Sequence, residues 1–272
     1  MNSTRLTDNS ATGFTVTVLG CGGSLGVPVI GNDWGLCDPT NPKNRRTRAA
    51  LLVKGGDTSV LIDTPPDIRH QLLREDVQGI DALLFTHHHA DHTNGLDDLR
   101  PIAWRNKSPV DVYAHDETIQ ELKARFPYIF NQMTGNAGKL YKPFMQLYEL
   151  AHQQQIGDLA IQAFVQDHHT CVSMGFRIGG FAYSTDVAFL DDQAFAALDG
   201  VDTWLVDCTR REPHPSHTHM ERTLSWIEQV KPRQAYLTHM NYSMDYDTIN
   251  AETPDHVAPA YDGMVLSFPP DT

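Results

Sequence analysis

The chain has 272 residues, 40% of them apolar and 20% charged, with a formal charge of −13 at pH 7. That length allows a large core, the composition is ordinary for a globular protein, and the acidic balance argues against unaided binding to nucleic acid or anionic membranes, which call for a basic surface. The four cysteines stand far apart without a C-x-x-C pair, so neither a disulfide framework nor a cysteine zinc motif is indicated. The polar start, 1–13, lacks an apolar leader and no run approaches 18 apolar residues, so the expectation is a cytoplasmic protein with no membrane span.

A frayed tail over 1–13 is expected to precede one domain over 14–272. A strand over 14–19 (FTVTVL) leads into the glycine loop Gly20-Cys21-Gly22-Gly23-Ser24. That loop either cradles phosphate or makes a tight turn between packed strands, and it lacks the spacing of a P-loop or dinucleotide fingerprint. An irregular stretch over 26–48 ends in Arg45-Arg46-Thr47-Arg48, and a loop that long inside a compact domain is usually functional. Residues 49–53 and 59–62 read as a hairpin about Gly55-Gly56-Asp57, closed by Asp63. A helix near 66–74 starts on Pro66. A strand over 82–85, a helix over 94–104, a strand over 110–114 and a helix over 116–125 follow. Periodicity is weak over 126–152, which stays unassigned. Strands at 161–165, 175–178 and 181–183 (the last two joined by Gly179-Gly180), a helix at 192–198, a strand at 203–206, a helix at 220–230 and strands at 235–238 and 264–268 complete the pattern. Strands interspersed with helices in both halves indicate a layered α/β fold.

The most informative stretch is Thr86-His87-His88-His89-Ala90-Asp91-His92. Imidazole is a usual ligand of borderline divalent metals and a carboxylate supplies a hard oxygen beside it. The cluster follows an apolar strand, where His87 and His89, two apart on extended chain, can point the same way. Asp91 and His92 can then face a second ion. Further single residues stand at or just past apolar runs: His168 and His169, Asp186, and His239. Any one of them is unremarkable alone; together with the cluster they supply nitrogen and oxygen ligands for two cations.

H-x-H-x-D-H followed in order by a His, an Asp and a His resembles the metallo-β-lactamase superfamily. Within it, the stretches 20–28 (GCGGSLGVP), 38–48 (DPTNPKNRRTR), 89–100 (HADHTNGLDDLR) and Tyr261-Asp262-Gly263-Met264 are similar to the PhnP-like phosphodiesterase branch. The resemblance implies an αββα four-layer sandwich with metals at one edge of the sheets. It places His87, His89 and His168 on one ion and Asp91, His92 and His239 on the other, with Asp186 bridging; His169 competes with His168, and His88 is the variable position of the motif. The name-giving member of the branch carries a cysteine cluster after its Gly-Val-Pro motif that, with a His, holds a structural zinc. Here 29–38 contains only Cys37, so that zinc is not expected.

Two divalent ions, zinc or manganese, are the cofactors expected. A hydroxide bridging two cations is a nucleophile near neutral pH, and the same cations reverse the local field for an anionic substrate. The resemblance points to a His in the segment 207–219 as proton donor for the leaving group, which His217 matches best, with Asp207 to orient it; Asp91 is carried as both ligand and catalytic residue. Arg48, Arg210 and Arg211 are candidates to grip phosphate. The expected function is a phosphodiesterase on a small cyclic or nucleotide-like phosphodiester, homodimeric by default. A lactonase or thioesterase would use the same nucleophile on a carbonyl. A tRNA 3′-processing nuclease fits the acidic charge poorly. A non-catalytic binder is a further alternative, because Pro66-Asp67-Ile68-Arg69 resembles a run in the pyrroloquinoline-quinone biosynthesis B protein, which is usually described with an incomplete metal pattern; the intact H-x-H-x-D-H speaks against it.

Overall fold

Alternation along the central strands dictates the layering. Leu51 and Val53 face one way while Leu52 faces the other, and Val60 and Ile62 oppose Leu61 in the same manner; all are buried. A sheet apolar on both faces needs cover on both. In the computed structural model, which describes residues 13–132, 134 and 142–270, one face packs on a second sheet and the other on helices.

Among the described residues the first sheet has seven strands, β1 (Phe14–Gly20), β2 (Ala50–Gly55), β3 (Thr58–Ile62), β4 (Ala82–Leu84), β5 (Val110–Ala114), β6 (Met145–Glu149) and β14 (Val265–Phe268), in the order β14-β1-β2-β3-β4-β5-β6. The second also has seven: β7 (Gln153–Ile156), β8 (Leu159–Asp167), β9 (Val172–Ile178), β10 (Phe181–Ser184), β11 (Thr203–Asp207), β12 (Gln234–Thr238) and β13 (Val257–Pro259), in the order β13-β12-β11-β10-β9-β8-β7. Each sheet is antiparallel on one side and parallel on the other: β3 to β6 run parallel in the first, β10 to β13 in the second. The inner core joins Val16, Val60 and Ile62 to Phe176, Phe181 and Tyr183. On the outer face of the first sheet, Leu52, Leu61 and Leu83 meet Ile68 and Leu72 of α1 (Ile68–Arg74) and Ile119 and Leu122 of α4 (Asp116–Arg125). The expected αββα sandwich is the observed fold.

Several expected elements shift. The helix expected over 94–104 divides into α2 (Ala90–Thr93), a 3-10 turn at Leu96–Leu99 and α3 (Arg100–Asn106). Gly95 sits at that break, where a Cβ would lie 2.1 Å from the Pro65 carbonyl, so close packing rather than periodicity decides the course of the chain. The unassigned 126–152 contains α5 (Pro127–Phe130) and β6; residues 133 and 135–141 lie outside the described set, as does the expected tail except Gly13. The short β7 and β13 and the helix Tyr246–Glu252 have no counterpart in the sequence reading. The glycine loop follows the tight-turn alternative. Gly22 N–H donates to the Thr47 carbonyl, Gly23 N–H to Met240 and Gly26 N–H to Gly23, so these amides are spent within the protein. No described helix is long and apolar enough to cross a membrane.

Candidate metal centre

Parallel strands deliver their following residues to one edge, the carboxyl end of the sheet, where ligands are generally held. β3 ends just before Asp63, β4 leads through Phe85 and Thr86 to His87, β10 leads through Thr185 to Asp186, β11 ends on Asp207, and β12 ends just before His239. Three of these residues turn sharply off their strands in the left-handed region: Asp63 (φ 66°), Asp186 (φ 53°) and His239 (φ 56°). Asp and His tolerate that region better than most side chains, at a cost of about 1–3 kcal/mol each, and such strain gathers at functional sites.

Asp186 is the centre of the arrangement. Its Oδ1 lies 3.9 Å from His87 Nε2 and 3.6 Å from His168 Nε2. Its Oδ2 lies 3.1 Å from His92 Nε2 and 3.4 Å from His239 Nε2. Asp91 Oδ2 closes the second group, 3.5 Å from His92 Nε2 and 3.7 Å from His239 Nε2. His89 joins the first through Nδ1, 3.2 Å from His168 Nε2. One carboxylate thus divides two sets of donors, His87, His89 and His168 on one oxygen and Asp91, His92 and His239 on the other. Of the adjacent pair, His168 is buried in the cluster. His169 is exposed at φ 69°, turned outward with its backbone N–H donating to Asp167 at 2.6 Å.

Outer partners aim the rings. His168 Nδ1 donates to the Ser216 carbonyl at 2.6 Å and His92 Nδ1 to Asp63 Oδ2 at 2.8 Å, which leaves the Nε2 lone pairs facing the centre. Sequence reading treated Asp63 only as the end of a hairpin. Its signal was an Asp at the close of an apolar strand, the same signal that singled out Asp186. Cys171, also missed, lies with its Sγ 3.8 Å from the outer nitrogen of His89.

The donor set fits divalent cations. Nε2 of His87, His92 and His239 is buried with no hydrogen-bond partner, a cost of about 1–3 kcal/mol for each group that a bound cation removes. The 3.2 Å between His89 Nδ1 and His168 Nε2 is close to the roughly 3.3 Å edge of a tetrahedron with ligand bonds of about 2.0–2.1 Å. Charges agree. Burial pushes the His87 pKa well below its usual value, with the His92 charge adding to the effect, so His87 is a neutral ligand-ready imidazole. The carboxylates of Asp186, Asp91 and Asp63 overcome burial and hold His92 well above its usual value, so a cation taking its Nε2 displaces a proton there. Asp186, despite complete burial, stays well below the carboxylate range because His239 and His92 face it. Converging carboxylates opposed by imidazoles alone are a cation site by charge.

At the same edge His217 packs its ring 4.8 Å from that of His168 and 5.0 Å from that of His239. Its Nδ1 lies 3.2 Å from Asp207 Oδ2, an oxygen that also accepts the Val187 N–H at 3.1 Å. Burial opposes a charge on His217, yet the hydrogen bond and charge of Asp207, with Asp186 and Asp91 behind, push its pKa up to about 9. Of the three arginines offered for phosphate, Arg48 holds Asp67 at 3.0 Å and the Ser24 carbonyl at 3.0 Å, and Arg211 turns to Glu252 at 2.5 Å. Arg210 keeps a buried, unpartnered Nε and, after burial, is the next largest influence lowering the pKa of His214, whose ring lies 5.4 Å from that of His217.

A family model described as a beta-lactamase superfamily domain matches residues 58–240, the span from β3 to the residue after His239. The chain belongs to the metallo-β-lactamase superfamily. Within the superfamily it groups with the PhnP-like branch: a solved diphosphatase from the PhnP family is 34% identical, over 94% of this chain and 97% of that one, with a TM-score of 0.86. Zn2+-bound PqqB from Methylobacterium extorquens shares the metallo-β-lactamase fold at 18% identity, over 93% of this chain and 99% of that one, with a TM-score of 0.70. An octanoyltransferase of Porphyromonas gingivalis is 30% identical over 254 residues, 91% of this chain and 50% of that protein. The chain spans about half the length of the curated relatives it matches.

Proposed function

We propose that this metallo-β-lactamase-fold protein is a binuclear metal-dependent phosphodiesterase acting on a small cyclic or nucleotide-like phosphodiester. The observation that carries the reading is the division of Asp186 between two imidazole sets, with the His217–Asp207 pair at the same edge. His87, His89 and His168 would hold one divalent ion, and Asp91, His92 and His239 the other, with Asp186 available to both. Zinc and manganese both suit such nitrogen and oxygen donors. When bound, two such ions supply a nucleophile from water near neutral pH and neutralise charge on phosphoryl oxygens.

The chain's own contribution is to place and hold a proton. Asp207 takes His217 Nδ1, so Nε2 is the atom that gives its proton to the departing alkoxide oxygen. The Val187 N–H fixes the same carboxylate, which keeps the imidazolium oriented. Arg210, whose charge acts on His214, is the arginine proposed to meet a phosphate oxygen on that side. The diphosphatase named for the solved PhnP-family relative supports phosphoryl chemistry and adds pyrophosphate diesters to the substrates to be tried.

The test is a zinc- and manganese-loaded activity panel on bis(p-nitrophenyl) phosphate, cyclic phosphates, a pyrophosphate diester and a lactone, with His217→Ala alongside. Cleavage of a phosphate ester is expected, falling about 10²–10⁴-fold in the variant while both metals are retained. Turnover of the lactone alone would replace the reading with carboxyl-ester hydrolysis.

A further inference from the structure

Two threonine hydroxyls stand between buried carboxylates and histidines of the candidate metal centre, one at the edge of each sheet. Thr86 Oγ1 donates to Asp63 Oδ2 at 2.8 Å and lies 3.0 Å from His87 Nδ1. Thr209 Oγ1 donates to Asp207 Oδ1 at 2.8 Å and lies 3.3 Å from His239 Nδ1. Both hydroxyls and both carboxylates are buried. The parallel extends to the acids. Asp63 serves the Thr86 N–H, the Thr86 hydroxyl and His92 Nδ1; Asp207 serves the Val187 N–H, the Thr209 hydroxyl and His217 Nδ1. In each sheet a carboxylate at the end of one parallel strand orients one histidine directly. It reaches a second, on the neighbouring strand, through a hydroxyl.

Counting protons fixes the direction of each relay. An ionised carboxylate only accepts, and its lone pairs have room for all three donors. The single hydroxyl proton of each threonine is therefore given to the carboxylate, and what remains toward the imidazole is a lone pair. Nδ1 of His87 and of His239 must carry the proton, which leaves Nε2, in both cases buried and without a hydrogen-bond partner, as the free lone pair. We propose that Thr86 and Thr209 are positioning residues, each relaying a buried carboxylate onto a metal-facing histidine so that His87 and His239 present Nε2 to the ions. The two relays differ in one respect. Asp63 serves two histidines of the metal centre, whereas Asp207 joins a metal-facing histidine to the proton donor, so Thr209 ties the geometry of His239 to that of His217.

The inference rests on the two-metal reading and is independent of which bond is cleaved. It is tested on metal-free protein by zinc titration against a chromophoric chelator, with ring ¹⁵N spectra of histidine-labelled protein to read the tautomers. Wild type is compared with Thr86→Val, Thr86→Ser, Thr209→Val and Thr209→Ser. Valine keeps the shape and removes the hydroxyl; serine keeps the hydroxyl. Each valine variant is expected to bind one of the two zincs about 10–100-fold more weakly and to lose one Nδ1–H signature, with serine within a few-fold of wild type. Valine variants that bind both zincs at wild-type strength would overturn it, and so would serine and valine losing affinity equally, which would reduce the threonines to packing. A wild-type protein that takes up no zinc would instead overturn the metal-centre reading itself.

Discussion

His217 is 8% exposed, between Asp207 and two imidazoles of the candidate metal centre. Burial alone would favour the neutral ring, but the Asp207 carboxylate reverses the sign and lifts the pKa to about 9. A histidine with a raised pKa keeps its proton below that value and loses it as pH rises through it. Cations near Asp186 would repel the imidazolium and bring the midpoint down, so the alkaline limb of kcat for the proposed activity is expected at or below about 9 in the metal-loaded protein. Asp207→Asn removes the charge that lifts it, and the limb should move about 1–3 pH units toward acid. A limb at the same pH in both proteins would detach the proton donor from Asp207. At this scale the legible residues were those crowded in sequence: four histidines and an aspartate within His87–His92 announce a ligand cluster. Asp63, Thr86 and Thr209 gave no comparable signal, because a buried acid or hydroxyl that steers a ring looks like any other polar residue at a strand end.

Strand ends, more than strands, decide the site. β3, β10 and β12 each hand over to a residue in the left-handed region, and that turn swings Asp63, Asp186 and His239 to the shared edge. The same conformation at His169, one residue past His168, carries that side chain outward into solvent. Glycine suits this backbone without a Cβ, so His169→Gly is expected to retain both zincs and to change stability by no more than about 1 kcal/mol. Loss of one zinc in that variant, measured by elemental analysis, would exchange the roles of the two histidines. Adjacent histidines cannot be told apart by composition, since the choice depends on φ at one residue and on the Asp167 carboxylate that holds its N–H. The long helix expected after the motif failed for a related reason: Gly95 presses on the Pro65 carbonyl, a contact between segments 30 residues apart that no local periodicity reports.

Across the whole molecule, the two sheets contribute different candidate ligands to one seam. His87, His89, Asp91 and His92 come from the first, and His168, Asp186 and His239 from the second. Ions held in that seam would bind the folded arrangement and not the unfolded chain, and so would link the sheets. At free zinc about 100 times the dissociation constant, one site adds about 2.7 kcal/mol. For a chain of this size that corresponds to a rise in Tm of about 5–10 °C, reversed by chelator. An unchanged Tm with and without EDTA would show that the seam draws no stability from metal.

The layered α/β class, most of the strands and the H-x-H-x-D-H cluster could be read from the chain, because apolar alternation and a motif packed into six positions are properties of neighbours. The placement of Asp186 between two sets of imidazoles, the choice of His168 over His169, the outward turn of Arg211 and the carboxylate–threonine relays depend on residues up to 152 positions apart, such as His87 and His239. Those came only with the packing of one sheet on the other. Folding brings strand ends from both halves to one edge, and only there do distance, burial and the count of protons decide which side chain faces the centre and with which atom.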